Sequence, residues 1–358
     1  MSVSDLLSQA ESECSRSNYL TAFKLYKKAL SQIDSSSDKS NLLDCLKSIA
    51  DTGRMTGNFK GSLTYYQRAV TLSKEAGNQE FAADAQVGLG LTQRALGYWK
   101  QALDEIMSAE EFYRKNNDSE GLAFCRWATA GAFRIKGDIP KTIEIYNEAL
   151  EMYLELDDQS GASYCICGLG GASRAIGQYD KSLQYYKKAN TEFSLLSDRF
   201  GSAYSYCGIG NAYRMKGEVD ISMRYLKKAM TVYERIGDIV SSAYTLWSIG
   251  MIYLINKKYK LGERYFNNAS QYFKKTGDVR GDVYVGLGMS QIDAMKGNII
   301  SAKKLQYNSE KTANDYSFSL EYCHALKILE IMDNIEPSDC YKRLGVKELY
   351  GNLPLNIP

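Results

Sequence analysis

The sequence contains a single histidine, His324, among its 358 residues. A histidine pair at a metal, or a histidine-based catalytic dyad, would need a partner that is absent, so we interpret His324 as a packed side chain. The sequence also lacks a phosphate-binding Gly-Lys-Ser loop, a zincin motif and a nucleophile elbow. We therefore predict no catalytic residue, no metal site and no cofactor.

Strong charge and long apolar segments are also missing. The formal net charge is only +2, which argues against a nucleic-acid binder that works through bulk charge. No apolar run approaches the roughly 18 residues that a membrane span needs, so we predict no membrane insertion. Residues 1–20 lack the apolar core of a signal peptide.

What the sequence does contain is a period of 40 residues. Glycine marks one position of the period: Gly57, Gly97, Gly137, Gly177, Gly217 and Gly297. Alanine marks a second position: Ala29, Ala69, Ala109, Ala149, Ala189, Ala229 and Ala269. Lys257 is the one miss in the glycine series, and Ser17 fits it loosely. A constant period without insertions predicts a solenoid, in which each unit packs mainly against its neighbours.

Residues 201–238 illustrate one unit, GSAYSYCGIGNAYRMKGEVDISMRYLKKAMTVYERIGD. Apolar and small residues recur at spacings of three and four in both halves, which predicts two helices. Gly217 stands where a helix C-cap needs a left-handed residue, and Asp238 stands where the next helix needs an N-cap. Small residues such as Gly208 and Ala229 lie where the helices would touch. The unit is therefore helix A, a tight turn, helix B and a Gly-Asp turn.

The segment GIGNAYRMKGEVDISMRYLKKA resembles the tetratricopeptide repeat. The unit is longer than the usual 34 residues and is similar to the variety in Pins-type adaptors, kinesin light chains and Rap-type quorum sensors. It departs from the usual pattern in having a Gly-Asp turn in place of the proline after helix B. The resemblance covers roughly residues 1–317 and implies an all-α, right-handed solenoid of about eight helix-turn-helix repeats.

The period also sets the expected boundaries. Repeats are expected near residues 1–36, 40–77, 80–117, 120–157, 160–197, 200–237, 240–277 and 280–317. A capping helix is expected over 318–335, and a short helix and tail over 336–358. The Ser-rich link 35–39 is expected to be the most flexible interior point. The uncharged tail, GNLPLNIP, is either loose or docked, and one hypothesis is that it folds back into the groove.

The eight cysteines all fall on predicted helices, and several share a repeat position, as Cys125 and Cys165 do. Small side chains at helix contacts would show this pattern. We interpret all eight as structural thiols, which predicts a reducing, cytoplasmic location.

Two ladders run along helix A. An arginine recurs at one position in five repeats: Arg54, Arg94, Arg134, Arg174 and Arg214. An aromatic residue recurs at another: Phe124, Tyr164, Tyr204, Tyr244 and Tyr284. These positions share one helix face, and the tetratricopeptide resemblance implies that this face lines a concave groove. The predicted groove residues are Arg94, Arg134, Arg174, Arg214, Phe124, Trp127, Tyr164, Tyr204, Asn211, Tyr244, Trp247 and Tyr284.

The ladders have a structural interpretation as well. An arginine in the last turn of a helix can bond terminal carbonyls and favour the dipole, and the aromatic residues could pack between repeats. Two observations favour ligand binding. Trp127 and Trp247 fall on the same face, and the arginines stop at repeat 6 while the aromatic residues continue.

We predict a non-catalytic adaptor that binds an extended partner segment. Acidic residues at about every third position of that segment would match the arginine spacing. Its apolar end would lie over Trp247, Met251, Leu254 and Leu287. The first alternative is a sensor in which a peptide or small ligand changes the superhelix pitch and so acts on a partner protein. The second is an enzyme or enzyme subunit that holds an anionic substrate.

Overall fold

The computed structural model describes residues 1–33 and 39–358, and these residues form eighteen helices and no strand. The link expected over 35–39 lies largely outside the described residues. The helices are Val3–Ser15 (α1), Tyr19–Leu30 (α2), Lys39–Met55 (α3), Phe59–Glu75 (α4), Gln79–Ala95 (α5), Trp99–Lys115 (α6), Ser119–Lys136 (α7), Ile139–Glu155 (α8), Gln159–Ala175 (α9), Tyr179–Leu195 (α10), Arg199–Met215 (α11), Val219–Ile236 (α12), Ile239–Ile255 (α13), Tyr259–Thr276 (α14), Val279–Met295 (α15), Ile299–Asp315 (α16), Ser319–Asp333 (α17) and Cys340–Arg343 (α18).

Helices α1 to α16 pair into eight helix-turn-helix repeats, which confirms the predicted fold class. The glycine at the turn within a repeat has a positive φ, for example +81° at Gly217. The acid or amide before helix A is its N-cap, as where Asp198 Oδ1 accepts from the Gly201 N–H at 2.8 Å. Glycines inside helix A leave space for aromatic side chains of the preceding helix B. A Cβ on Gly208, for example, would overlap the ring of Tyr186. In the part of the chain that the structure describes, no helix combines the length and apolar character of a membrane span.

The miss in the glycine series has a structural cost. Lys257 takes the left-handed backbone of the missing glycine, with φ at +57°, and a non-glycine residue there costs roughly 1–2 kcal/mol. We expect Lys257→Gly to raise the free energy of unfolding by about 1 kcal/mol. The neighbouring Lys258 is also exposed but has φ at −90°, so Lys258→Gly should lower it instead. Urea denaturation of both variants checks this, and equal effects would contradict it.

The superhelix winds back on itself. The turn at Gly57 in repeat 2 lies against α14, since a Cβ there would come within 2.7 Å of Thr276 Cγ2. Trp99 in repeat 3 donates its Nε1–H to the Tyr316 carbonyl oxygen at 3.0 Å, across 217 positions of sequence. Gly137 in repeat 4 lies against Leu320 of α17. Early and late repeats therefore touch.

The C-terminal region contains two further helices and departs from prediction at its cysteines. Helix α17 occupies Ser319–Asp333, and α18 is a short helix at Cys340–Arg343, within the segment 336–358. Cys323 of α17 and Cys340 of α18 form a disulfide. The interpretation of all cysteines as thiols is therefore wrong for this pair. The two side chains meet because the chain turns back after α17, which the repeat pattern does not predict.

The disulfide gives a direct prediction. It joins positions 17 apart, and closing a loop of that size stabilises a fold by about 3 kcal/mol. We expect Cys340→Ser to lower the free energy of unfolding by about 3 kcal/mol, and reductant to do the same to the wild type. Cys14→Ser, at a half-buried free thiol, is the control. Thiol titration in denaturant should count six thiols before reduction, and a count equal to all the cysteines would contradict the pairing.

Candidate functional site

The arginines of the ladder are half-buried or buried, and most of them have no counter-ion. Arg54 approaches Asp51, with 3.9 Å between Nη2 and Oδ1. Arg94, Arg134, Arg174 and Arg214 pair with no carboxylate of the described residues. A row of sheltered, uncompensated guanidinium groups is unfavourable in a protein alone. It is favourable where an anion or a hydrogen-bond acceptor can enter.

Arg94 and Trp127 form the first step of the ladder. The Arg94 guanidinium lies 5.6 Å from the centroid of the Trp127 ring, a distance at which a cation is attracted to the ring face. Gly131 makes room for it, because a Cβ at that position would overlap Nη1 of Arg94. Burial lowers the pKa of Arg94. The space that glycine leaves in helix A is thus filled by the arginine of the preceding repeat.

The next two arginines make few hydrogen bonds within the described residues. Arg134 donates through Nη1 to the Tyr204 hydroxyl at 3.5 Å, two repeats further along. A Cβ on Gly171 would stand 3.6 Å from Arg134 Nη1, in ordinary contact. Arg174 has a buried Nε–H with no hydrogen-bond partner. The ladder therefore contains a buried donor, Arg174 Nε, without an acceptor among the described residues.

Arg214, in the ladder position of repeat 6, is bound by the C-terminal tail. It is 1% exposed, and it donates through Nη2 to the Ile357 carbonyl oxygen at 2.8 Å and through Nη1 to Asn356 Oδ1. The Asn356 amide returns a hydrogen bond to the Arg214 carbonyl oxygen at 2.9 Å. Burial, and then neighbouring Arg174, lower the pKa of Arg214 to about 9. The groove-docked form of the tail is the one observed.

The tail also fills the apolar end of the groove. Leu355 and Ile357 are 3% and 0% exposed. They belong to the same buried cluster as Trp247, Met251, Leu254 and Leu287. The Leu355 N–H donates to Gln291 Oε1 at 2.5 Å. The apolar surface expected to receive a partner segment is thus occupied by this chain.

The aromatic ladder makes contacts within the protein. The hydroxyls of Tyr164 and Tyr244 donate to the N-cap carboxylates Asp198 and Asp278, at 2.7 and 2.8 Å. The Tyr284 hydroxyl donates to Glu321 Oε1 at 2.8 Å. These hydrogen bonds join successive units, so these rings have a structural role whether or not they also meet a ligand.

Three remaining candidates differ in accessibility. Phe124 is 39% exposed and stacks on Trp127 with ring centroids 5.7 Å apart. Trp247 is buried and donates its Nε1–H to the Tyr284 carbonyl oxygen at 2.9 Å. Asn211 accepts from Arg214 Nε at 3.1 Å. Ligand contact by any ladder residue stays a prediction.

The side chains on the helix-A face change in character along the repeats. At repeats 1–3 an open cavity of about 270 Å³ is lined by acidic side chains, including Asp44 and Asp51, beside Lys47 and Phe81. The arginines follow in repeats 3–6, and the apolar end under the tail lies in repeats 7 and 8. The hydrogen bonds that Asn356, Ile357 and Gln291 form in this region were not predicted from the sequence. The absence of charge in the tail was the available signal.

Comparison with known proteins bears on the fold. Residues 202–236 match the family model of the tetratricopeptide repeat, and no curated protein sequence matches the chain. The chain is similar to the Rap conjugation gene regulator of the plasmid pLS20 in complex with the Phr* peptide, with TM-score 0.66, 11% identity, and 88% of this chain and 95% of that chain covered.

Two further solved structures are similar. A Rap protein complexed with competence and sporulation factor has TM-score 0.60 and 14% identity, with 96% of this chain and 98% of that chain covered. Aspartyl phosphate phosphatase F from Bacillus subtilis has TM-score 0.57 and 12% identity, with 87% and 94% covered. The matched residues lie in repeat 6, and the fold of the whole chain is similar to that of these three structures, in agreement with the resemblance seen in the sequence.

Proposed function

We propose that this chain is a non-catalytic adaptor that captures an extended segment of a partner protein in its concave groove. The observation that carries the proposal is the row Arg94, Arg134 and Arg174, which has no carboxylate partner among the described residues. A guanidinium binds a carboxylate with two parallel hydrogen bonds. Acidic side chains of a partner would therefore supply what the groove lacks.

The spacing of the ladder fixes the form of the partner segment. Successive helix pairs lie about 10 Å apart, from helix diameters, and an extended peptide advances about 3.3 Å per residue. We therefore propose acidic residues at about every third position of the segment, followed by an apolar end. Action without nucleic acid and a cytoplasmic location are part of this proposal, although the disulfide removes the cysteine argument for a reducing compartment.

The first test is capture from source-cell extract, read by mass spectrometry. The variant Arg94→Gln/Arg134→Gln/Arg174→Gln leaves Arg214 and the tail intact. The matched control removes the same charge from exposed positions of helix B, with Arg68→Gln/Arg224→Gln/Arg264→Gln. Because a buried arginine at an interface is often worth about 2 kcal/mol or more, we expect retention to fall by more than tenfold with the groove variant only.

A defined probe makes the same test without an extract. A fluorescent peptide with glutamate at every third position should bind the wild type, and binding should weaken as salt rises. The same peptide with lysine in place of glutamate should not bind. Equal binding of the two peptides would refute the acidic partner, and circular dichroism must show that each protein variant keeps its helices.

A second candidate function is a sensor, and the closed superhelix favours it. A ligand that changed the pitch of the repeats would have to break the hydrogen bond between Trp99 and Tyr316. Two of the similar structures are named as complexes with a peptide or a factor. Small-angle scattering with and without the glutamate peptide separates the two functions, because a change in radius of gyration is expected only of a sensor.

A further inference from the structure

We infer that the last residues of the chain are a built-in competitor for the partner segment, and that this end of the groove selects an uncharged apolar–Asn–apolar segment. The inference rests on the proposed function and specifies the chemistry at one end of the groove. The bound pattern is Leu355, Asn356 and Ile357, which lies across repeats 6 to 8. A partner segment that continues from the arginines toward repeat 8 has to displace it.

Backbone atoms of the tail form two of its hydrogen bonds to the repeats. The Ile357 carbonyl oxygen accepts from Arg214 Nη2 at 2.8 Å, and the Leu355 N–H donates to Gln291 Oε1 at 2.5 Å. Contacts of this kind are available to any extended peptide, whatever its side chains. The groove therefore presents side chains that bind peptide backbone, which a surface that only packed a fixed tail would not require.

One hydrogen-bond donor of the tail site has no acceptor among the described residues. Gln291 is 0% exposed, and its Nε2 donor has no partner among the described residues. A buried amide donor without an acceptor is unfavourable. A segment that also offered a carbonyl oxygen to Gln291 would satisfy the site better than the tail does, so displacement is favourable.

The two hydrogen bonds with Arg214 favour asparagine at the central position of the bound segment. The Asn356 side chain accepts from Arg214 Nη1 and also donates to the Arg214 carbonyl oxygen. A leucine of similar size can do neither, and an aspartate can only accept. On both sides of it the side chains must be apolar, because Leu355 and Ile357 are buried among Trp247, Met251 and Leu254.

The tail binds an arginine of the ladder. Arg214 occupies in repeat 6 the position that Arg94, Arg134 and Arg174 occupy in repeats 3 to 5. Only Arg214 of these four is satisfied by the tail. The tail thus contacts the ladder position that follows the three unpaired arginines, and a segment that bound those arginines and continued toward repeat 8 would meet the tail.

The experiment uses the full chain with Leu355→Asp/Ile357→Asp, which places two charges in the apolar end and releases the tail. The matched control is Tyr350→Asp/Asn352→Asp, which adds the same charge at exposed positions of the same segment. The probe is a fluorescein-labelled peptide with the sequence of residues 352–358, read by fluorescence anisotropy.

We expect the released variant to bind the peptide at least tenfold more tightly than the wild type and the control do. Apparent affinity falls in proportion to the open fraction of the site, and a docked tail leaves a tenth or less open. The peptide with leucine at the position of Asn356 should bind the released variant at least tenfold more weakly. Equal binding by wild type and released variant, or no binding by either, overturns the inference.

Two further measurements address a variant that loses helical structure and a tail that docks into a second copy of the chain. If the aspartate pair reduces the helical circular dichroism signal, Asn356→Leu in the full chain takes its place, and it must raise peptide affinity above that of the wild type. Light scattering should show a wild-type mass that tail release does not change. A dimer that becomes a monomer on release would mean that the tail docks into a second copy, which overturns the intramolecular inference.

The two proposals can fail separately. If the groove-arginine variant loses its partner but tail release does not increase capture, the competitor is refuted and the adaptor stands. If the tail peptide binds the released variant but removing Arg94, Arg134 and Arg174 changes no capture, the acidic segment is refuted and the competitor stands.

Discussion

Replacing Glu321 with glutamine should lower the free energy of unfolding by about 3–5 kcal/mol, the usual cost of breaking one side of a buried ion pair. Glu321 is 0% exposed, and Arg280 faces it with a side chain 10% exposed. Arg280 Nε donates to Glu321 Oε1 at 2.8 Å, and the Tyr284 hydroxyl donates to the same oxygen at 2.8 Å. The glutamine keeps the shape but leaves Arg280 buried without a counter-ion.

The charges of this group depend on one another. Burial by itself would lower the pKa of Arg280, but Glu321 and the nearby tyrosines raise it well above its ordinary value. The guanidinium also lies 5.1 Å from the centroid of the Tyr284 ring. The group joins α15 of the last repeat to α17, so its loss should loosen the cap from the solenoid.

The controls for Glu321→Gln separate a buried charge from charge in general. Lys311→Gln removes an exposed pair with Asp315, whose side chains are 75% and 49% exposed, and should change stability by less than about 0.5 kcal/mol. Arg280→Met/Glu321→Leu removes both buried partners and should recover most of the loss. Urea denaturation at neutral pH measures all three. A loss below about 1 kcal/mol for Glu321→Gln would contradict the prediction.

The local structure of the repeats could be predicted because the same short-range chemistry recurs in each unit. A turn needs a left-handed residue, and the glycine series marked that position. The structure extends the rule to its exceptions, because Lys257 and Ser17 adopt φ values of +57° and +62°. The Asp and Asn caps were predictable for the same reason, since each bonds a backbone N–H only two or three residues away.

The closure of the superhelix could not be read from the repeats. It depends on the small rotation between neighbouring units, summed over the whole solenoid. The hydrogen bond between Trp99 and Tyr316 joins residues that no local pattern relates. The docking of Ile357 on Arg214 is similarly remote and unrepeated. For this reason, groove positions were predicted from the resemblance and docking of the tail only as one hypothesis, while the burial of these positions and the contacts of the tail were not predicted.

The buried ion pair did leave a trace in the sequence. Glu321 stands where four of the earlier repeats have glycine, as at Gly281, which packs under the ring of Phe273. The residue that corresponds to Phe273 is Ala313, whose small side chain vacates the space of the ring. Glutamate thus replaces the glycine, and alanine replaces the phenylalanine. This double replacement indicates a specialised contact between the last repeat and α17. Positions that match the period do not reveal such a contact, because it depends on the two positions that depart from the period.

His324 should make the stability of the wild type depend on pH between about 4 and 6.5. It is 1% exposed, and its Nδ1 lies 2.8 Å from the Tyr341 hydroxyl. Burial lowers the pKa of His324 to about 4; nearby Glu321 opposes the shift and Arg280 adds to it. Within this range the unfolded chain binds a proton that the folded chain excludes. The stabilisation is therefore complete above about pH 6.5 and is lost as the pH falls toward 4.

The measurement is the pH dependence of unfolding in wild type and His324→Gln, since glutamine keeps a polar group beside Tyr341 without titrating. Between pH 7.5 and 5 the wild type should lose about 2 kcal/mol more than the variant. Burial raises the pKa of Asp238 and Asp278, so these carboxyls favour the folded state as the pH falls. They are present in both proteins, and their contribution cancels in the difference. Parallel pH profiles would mean that His324 reaches water or a proton acceptor in the folded protein, and that the cap opens around it.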